Sequence, residues 1–197
     1  MGIRSIIFWG GLLAIVFYII SIYNRLVTLK HRFENAFAQI DVQLKRRYDL
    51  IPNLVETAKS YMAHERGTLE EVIAARNSAL AGLNAVHGNP SAETMSALGK
   101  AETALQGAMG RFQAVMEAYP DLKANTTMMQ LSEELISTEN KIAYSRQSYN
   151  DSVMEYNVYK RSFPQVVFAS TFGHIKDAAL LEFEDREQLQ AAPKITF

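Results

Sequence analysis

An uncharged apolar stretch near the start of the chain restricts the folds that are open to it. Residues 6–23 read IIFWGGLLAIVFYIISIY and contain no charged side chain. As a helix, this stretch is about 27 Å long, close to the roughly 30 Å thickness of the hydrocarbon core of a bilayer. Trp9 and Tyr23 lie near its two ends, and aromatic rings favour membrane interfaces. We therefore predict an N-terminal transmembrane anchor over residues 1–25, with the lipid bilayer as its partner.

A secretory signal peptide is the competing interpretation of this stretch. The apolar region of a signal peptide usually has about 7–15 residues and ends at a small-x-small cleavage site. Here the stretch is longer, and its end, SIYNR over residues 21–25, has no Ala-x-Ala pattern. Both differences favour a retained anchor.

The basic residues around the stretch bear on its orientation. Arg4 precedes it, whereas Arg25, Lys30 and Arg32 follow it within the window that the positive-inside rule counts. This bias favours a cytoplasmic location for the C-terminal body of a single-pass protein.

Composition excludes several classes of function. The chain of 197 residues contains no cysteine, which excludes disulfides, thiol catalysis and thiolate zinc sites. Its net charge of −1 lacks the basic excess that is typical of proteins that bind nucleic acid. Only five prolines and ten glycines interrupt the chain, and this scarcity suits long helices.

Beyond the stretch, apolar residues recur at the three- and four-residue steps of helices that pack nearly parallel. The first bundle helix carries two rows: Leu26, Phe33, Ile40, Leu54 and Tyr61, with Arg47 as the single charged member, and Phe37, Leu44, Ile51 and Ala58. The row on the fourth helix is Met128, Leu135, Ile142, Tyr149, Tyr156 and Phe163. Turn residues at 64–67, 87–90 and 119–121 separate four helices, and Pro164 ends the last one.

We therefore predict an all-α fold in which the N-terminal transmembrane helix continues into an elongated antiparallel four-helix bundle of long helices. The bundle extends over residues 26–164, and a C-terminal tail follows over residues 165–197. No glycine or proline separates the anchor from the first bundle helix, so the two form one rod that Pro52 kinks rather than ends. Thr68 with Glu71 predicts a capping box at the start of the second helix.

The order of the helices predicts the location of the tail. The first helix leaves the membrane, the second returns, the third leaves and the fourth returns, so the tail is expected to be membrane-proximal. Val167, Phe168 and Phe172 are its predicted contacts with the bilayer surface or a neighbouring subunit. The alternative is that the tail folds over its own bundle.

The sequence shows no catalytic, cofactor or metal motif. Its four histidines fall on separate elements, and His64-Glu65 lacks the second histidine of a two-His zinc helix. The glutamates on the helices lack the Glu-x-x-His pattern of di-iron bundles. We therefore predict no catalytic residues, no cofactor and no metal, in a protein that is not an enzyme.

Arg47 is a candidate for a buried ion pair. It lies on the apolar row between Ile40 and Leu54, and a buried guanidinium requires a carboxylate. The alternative is an exposed guanidinium whose stem lies along the helix. The candidate partners are Asp41, Asp49, Glu139 and Asp151.

A polar stripe recurs on the fourth helix. It consists of Arg146, Tyr149, Asn150, Tyr156 and Asn157, in which the Tyr-Asn pair repeats after seven residues. Tyr and Arg are enriched at protein interfaces, which makes the stripe a candidate interaction surface. Hydrogen bonding inside the bundle is the alternative, and the sequence favours it slightly.

Two long blocks of the chain resemble the LemA family of bacterial membrane proteins. The first block runs from Asn24 to Arg76 and contains the specific run IDVQLKRRYDLIPNLV. The second runs from Tyr119 to Pro164 and contains LSEELISTENKIAYSRQSYNDSVMEYNVYKRSFP, and the ending PKITF is also similar. The segment between Val86 and Leu105 carries little of the resemblance.

This resemblance implies a single N-terminal anchor in the bacterial inner membrane, a long-helix bundle and a cytoplasmic body. It implies no catalytic residue. Proteins similar to this family are mentioned alongside membrane metallopeptidases and stress responses, which suggests an adaptor that binds another membrane protein. Our first hypothesis remains a non-enzymatic scaffold that self-associates into a homo-oligomer, because aromatic heptads, the Gly10-Gly11 pair and the long rod favour helix association.

Overall fold

A computed structural model of the chain describes residues 2–183, and these residues form an all-α fold. The helices are α1 (Ile3–Lys59), α2 (Arg66–Gly88), α3 (Ala92–Met116), α4 (Pro120–Lys123), α5 (Thr126–Arg161) and α6 (Gln165–Ala169). The first of them contains the apolar stretch, and α1, α2, α3 and α5 are the four long helices that the sequence predicts. The PKITF ending at residues 193–197 lies outside the described residues.

α1 is one uninterrupted helix of 57 residues, about 85 Å long. Its N-terminal part is long and apolar enough to cross a membrane, and almost none of that part is buried within the protein. Pro52 lies inside the helix, as predicted. The proline ring removes one backbone hydrogen-bond donor, and a long helix can continue past it.

The long helices form an antiparallel bundle in which α1 packs along α5, α2 packs along α3, and α1 contacts α2. The two rows predicted for α1 face the core at Ile40, Leu44, Ile51 and Leu54. The row on α5 is buried from Met128 through Tyr156. The predicted fold class is therefore confirmed.

Two local details differ from the sequence analysis. α2 begins at Arg66 without a side-chain cap, so Thr68 lies inside the helix rather than at its start, and Glu71 binds Arg111 of α3. A capping box is found at α3, where Ser91 and Thr94 exchange hydrogen bonds. Phe163, the last member of the α5 row, is 84% exposed, because α5 ends two residues earlier.

The chain after α6 turns at Gly173, whose φ of +82° is in the left-handed region that favours glycine. Residues 174–183, which we call the strap, then run along α5 without regular secondary structure. Leu181 and Phe183 are buried in the main core, whereas Leu180 and Glu182 face outward. This alternation is typical of an extended chain.

The strap also lies directly against α3. A Cβ atom at Gly99 would collide with the backbone oxygen of Glu182. Glycine at position 99 therefore allows the strap to lie against α3 while Asn150 holds Leu181 on α5. The strap joins two helices of the bundle.

We predict that Gly99→Ala destabilises the protein by about 1–3 kcal/mol, because the strap and α3 must separate. The matched control is Gly110→Ala on the same helix, where a Cβ has no neighbour within 4 Å. This control should stabilise the fold by about 0.5–1 kcal/mol through helix propensity. Denaturant unfolding of both variants measures the difference, and equal stabilities would contradict the close approach.

Candidate functional site

A buried polar cluster lies between α1, α3 and α5. The Arg47 side chain is only 3% exposed and forms ion pairs with Glu102 of α3 and Glu139 of α5. Its Nη1 lies 3.0 and 2.9 Å from the two Glu139 carboxylate oxygens. The Tyr48 hydroxyl donates to Glu102 from the next position of α1. Three helices are thus joined by one guanidinium.

The surroundings of Tyr48 keep its hydroxyl protonated. Burial raises the pKa of Tyr48 to about 12, although the neighbouring Arg47 acts in the opposite direction. Arg76 of α2 donates from Nε to the backbone oxygen of Tyr48 at 2.9 Å. At neutral pH the hydroxyl therefore donates to the Glu102 carboxylate, and Arg76 ties α2 to the same turn of α1.

The structure selects among the partners that the sequence offered for Arg47. Glu139 is one of the four candidates, whereas Asp41 binds Lys45 and His87. Glu102 was missed. Its position completes the apolar spacing of α3 between Leu98 and Leu105, and a carboxylate at such a position is the signal that could have identified it.

The polar stripe on α5 binds the backbone of the strap. Asn150 accepts from the Leu181 N–H at 2.9 Å and donates to the Leu181 carbonyl at 3.0 Å. Asn157 makes the same two bonds with Ala178, at 3.0 and 2.9 Å. Each asparagine side chain thus pairs with both the backbone N–H and the backbone carbonyl of one strap residue, as a neighbouring β-strand would.

The spacing of the two asparagines matches the rise of an extended chain. Seven residues of helix rise about 10.5 Å, and three residues of extended chain rise about 10 Å. The Tyr149 hydroxyl adds a 2.7 Å bond to the Ala179 carbonyl. Burial raises the pKa of Tyr149 to about 12, so this donor also stays protonated. The Tyr-Asn repeat is therefore complementary to an extended backbone.

The remaining stripe residues hold the two ends of the strap. The Tyr156 hydroxyl lies 2.8 Å from Nδ1 of His174 at the start of the strap. The Arg146 guanidinium lies 4.1 Å from the centre of the Phe183 ring at its described end. Asp177 forms ion pairs with Lys160 and with the exposed Arg161. All five residues of the stripe contact the chain's own strap.

The predicted membrane contacts lie on the apolar stretch of α1, and the predicted tail contacts lie in and just after α6, next to the start of the strap. Trp9 and Tyr23 are both exposed on α1. The Tyr23 ring lies edge-on to Phe172, with 5.3 Å between centres, and Phe168 stacks on Phe172. Val167 is exposed on α6. The tail therefore contacts both the end of the apolar stretch and, through the strap, its own bundle.

A groove runs along the outer side of α1 and α5. Val42 and Tyr144 are 60% and 76% exposed along it. The Oε1 atom of Gln43 is buried there without a hydrogen-bond partner among the described residues. The lining residues are Ala38, Gln39, Val42, Gln43, Ser137, Asn140, Lys141, Tyr144 and Ser145. Such a lining can pack and form hydrogen bonds with another surface.

We expect Arg47→Met to destabilise the protein by about 3–5 kcal/mol, because the variant leaves the buried Glu102 without a countercharge. The neighbouring Arg46→Met is the matched control, since the pair between Arg46 and Glu134 is half-exposed and should contribute less than about 1 kcal/mol. The double variant Arg47→Met with Glu102→Leu should recover most of the loss. Denaturant unfolding tests the series, and equal effects at positions 46 and 47 would refute the buried pair.

Stability should fall on acidification because of His174. Burial, with the nearby Lys30 and Lys160 charges, lowers the pKa of His174, so the folded state disfavours the protonated ring. The contribution of neutral His174 is present above pH about 6.5 and is lost as the pH falls below it. Between pH 7.5 and pH 5.5, the Tm of the wild type should drop more than that of His174→Gln. Equal drops would show that His174 does not couple to folding.

Comparison with known proteins identifies the family. The LemA family profile matches residues 36–197. Magnetosome proteins MamQ 2 and MamQ 1 of Paramagnetospirillum magneticum are each 26% identical over 176 residues, which covers 78% of this chain and 64% of theirs. Magnetosome protein MamQ of Magnetospirillum gryphiswaldense is 27% identical over 173 residues, with 78% and 62% covered. The chain thus spans less than two thirds of the length of these relatives. The resemblance seen in the sequence is confirmed, and the chain belongs to the LemA family.

Proposed function

We propose that this protein is a membrane-anchored, non-enzymatic helical scaffold that self-associates side by side in the bacterial inner membrane. Family membership and the apolar N-terminal part of α1 support the membrane location. The observation that carries the proposal is the groove between α1 and α5, where Val42 and Tyr144 remain exposed and the Gln43 amide oxygen has no hydrogen-bond partner within residues 2–183.

A second copy of the chain is the occupant that this groove favours. The anchor would hold every copy with its rod along the membrane normal, so the same residues of two copies meet at the same height. In a two-fold interface the same patch of both copies is used, and residues next to the axis face their own equivalents. Gln39, Gln43 and Asn140 suit this arrangement, because an amide carries both donors and acceptors. Ala38 and Ser137 are small enough to let helices approach closely.

The adaptor hypothesis loses its original surface. It relied on the stripe of Arg146, Tyr149, Asn150, Tyr156 and Asn157, which binds the strap of the same chain. A different membrane protein would therefore have to use the groove instead, and the experiment below distinguishes it by mass.

The orientation that we propose places the bundle in the cytoplasm. Three basic residues, Arg25, Lys30 and Arg32, follow the apolar stretch, whereas Arg4 alone precedes it among the side chains. Arg25 and Arg32 bind Glu155. These two arginines follow the apolar stretch on α1 and also hold α5. The bundle therefore lies on the same side of the membrane as the basic residues.

The natural absence of cysteine makes site-directed crosslinking a direct test. We expect Tyr144→Cys to form a covalent dimer upon mild oxidation in native membranes, because two copies meet at this residue. Ser78→Cys is the matched control, since Ser78 is exposed on α2 away from the groove. The protein part of the full-length particle in mild detergent should also have a mass of at least two chains of 22.2 kDa.

A monomeric mass together with equal crosslinking at positions 144 and 78 would refute self-association through the groove. A Tyr144→Cys product that contains a different protein in a fixed ratio would instead support the adaptor.

A further inference from the structure

Apolar side chains are exposed where α5 ends and α6 begins. Phe163 is 84% exposed, Val167 is 59% exposed and Val166 is 48% exposed. We call these three residues the collar. An aromatic side chain can bury about 150–250 Å². Leaving it in water forgoes the favourable burial of this apolar surface.

The ion pairs between α1 and α5 give the height of the collar. Glu155 binds both Arg25 and Arg32, and the two helices run antiparallel. Phe163 lies eight residues beyond Glu155, and residues 17 and 24 lie eight residues before Arg25 and Arg32. The collar therefore begins beside the last turns of the apolar stretch at residues 6–23.

Direct contacts fix α6 at the same level. Ala169 is buried together with Ile22 and Leu26, so α6 packs on the helix at the point where the apolar stretch ends. Tyr23 lies edge-on to Phe172 in the turn after α6. The collar thus projects from the body of the protein at the height of the membrane interface.

The lipid surface is the partner that these observations favour. Exposed apolar side chains lie at this level both on α1, at Ile20 and Tyr23, and at Phe163 after α5. A bilayer that covers the exposed apolar residues of α1 therefore also reaches the collar. Short apolar segments at this depth insert about 5–10 Å into the boundary between headgroups and acyl chains.

We propose that the collar inserts Phe163, Val166 and Val167 into the bilayer interface beside the anchor and forms a second membrane contact of the body. This proposal rests on the anchoring in the proposed function. One helix alone would leave the bundle free to tilt, whereas two adjacent contacts restrict its angle. When the tilt of the bundle is restricted, the grooves of different copies lie at the same height above the membrane and have the same tilt.

The experiment uses tryptophan fluorescence in vesicles of brominated phosphatidylcholine, because bromine on an acyl chain quenches a nearby indole. Trp9 is the single native tryptophan, so the wild type reports on the anchor itself. In a Trp9→Phe background, Val167→Trp places the probe in the collar. Phe163→Trp provides a second, more conservative probe if the first variant does not fold. Far-ultraviolet circular dichroism checks the helix content of each variant.

The matched control is Tyr144→Trp in the same background. Tyr144 is as exposed as the collar but lies beside residues 38–43, about 25 Å further from the membrane end of the rod. We expect collar probes to be quenched as strongly as Trp9, with bromines near the headgroup end more effective than bromines near the methyl end. The control probe should be unquenched by bromolipid, because neither water nor a second copy in the groove carries bromine.

Two results overturn the collar while leaving the anchor intact. In the first, Trp9 is quenched by bromolipid but the collar probes respond only to aqueous acrylamide, which places them in water. In the second, the collar probes are shielded from both quenchers until the protein is diluted with lipid, which places them against a second copy. If Trp9 itself is not quenched, the anchor fails and the collar fails with it.

Discussion

The antiparallel pairing of α1 with α5 is the constraint on which the rest of the structure depends. Because α1 extends from the apolar stretch into the bundle, this pairing brings the C-terminal end of α5 back to the end of that stretch. The aromatic row on α5 then packs on the matching row of α1, with Phe33 5.2 Å from Tyr156 and Phe37 5.6 Å from Tyr149 between ring centres. The positions of α6, the strap and the collar all follow from that return.

The polar interactions in this fold specify how the helices align with one another and where the strap lies on α5. The buried Arg47 can bind Glu102 and Glu139 only when α3 and α5 are in one register with α1. A buried ion pair contributes little net stability but penalises registers that separate its charges. Asn150 and Asn157 act similarly on the strap, because a shift by one residue would break both pairs of amide bonds. Apolar rows alone would tolerate such shifts more easily.

The sequence predicted the helices well because their signals are local and repeated. A row of apolar residues at every seventh position defines a face without knowledge of its partner, as on α5 from Met128 to Tyr156. The site was predicted less completely. Arg47 and the stripe were identified from their positions, whereas Glu102 and the strap were not, because each needs a partner that is distant in the chain. Thr68 and Glu71 illustrate the reverse error, since α2 begins two residues before Thr68 and Glu71 binds Arg111 instead.

The sequence by itself determined the apolar stretch, the continuous rod of α1, the four long helices and the absence of thiol chemistry, because these depend on composition and on short-range periodicity. Only the tertiary structure decided what the polar residues bind. The stripe on α5 is equally suited to a foreign peptide or to the chain's own tail, and the hydrogen-bonding capacity of its side chains is the same for both. The strap occupies it because the turn after α6 keeps residues 174–183 beside α5 and thereby gives them a high local concentration.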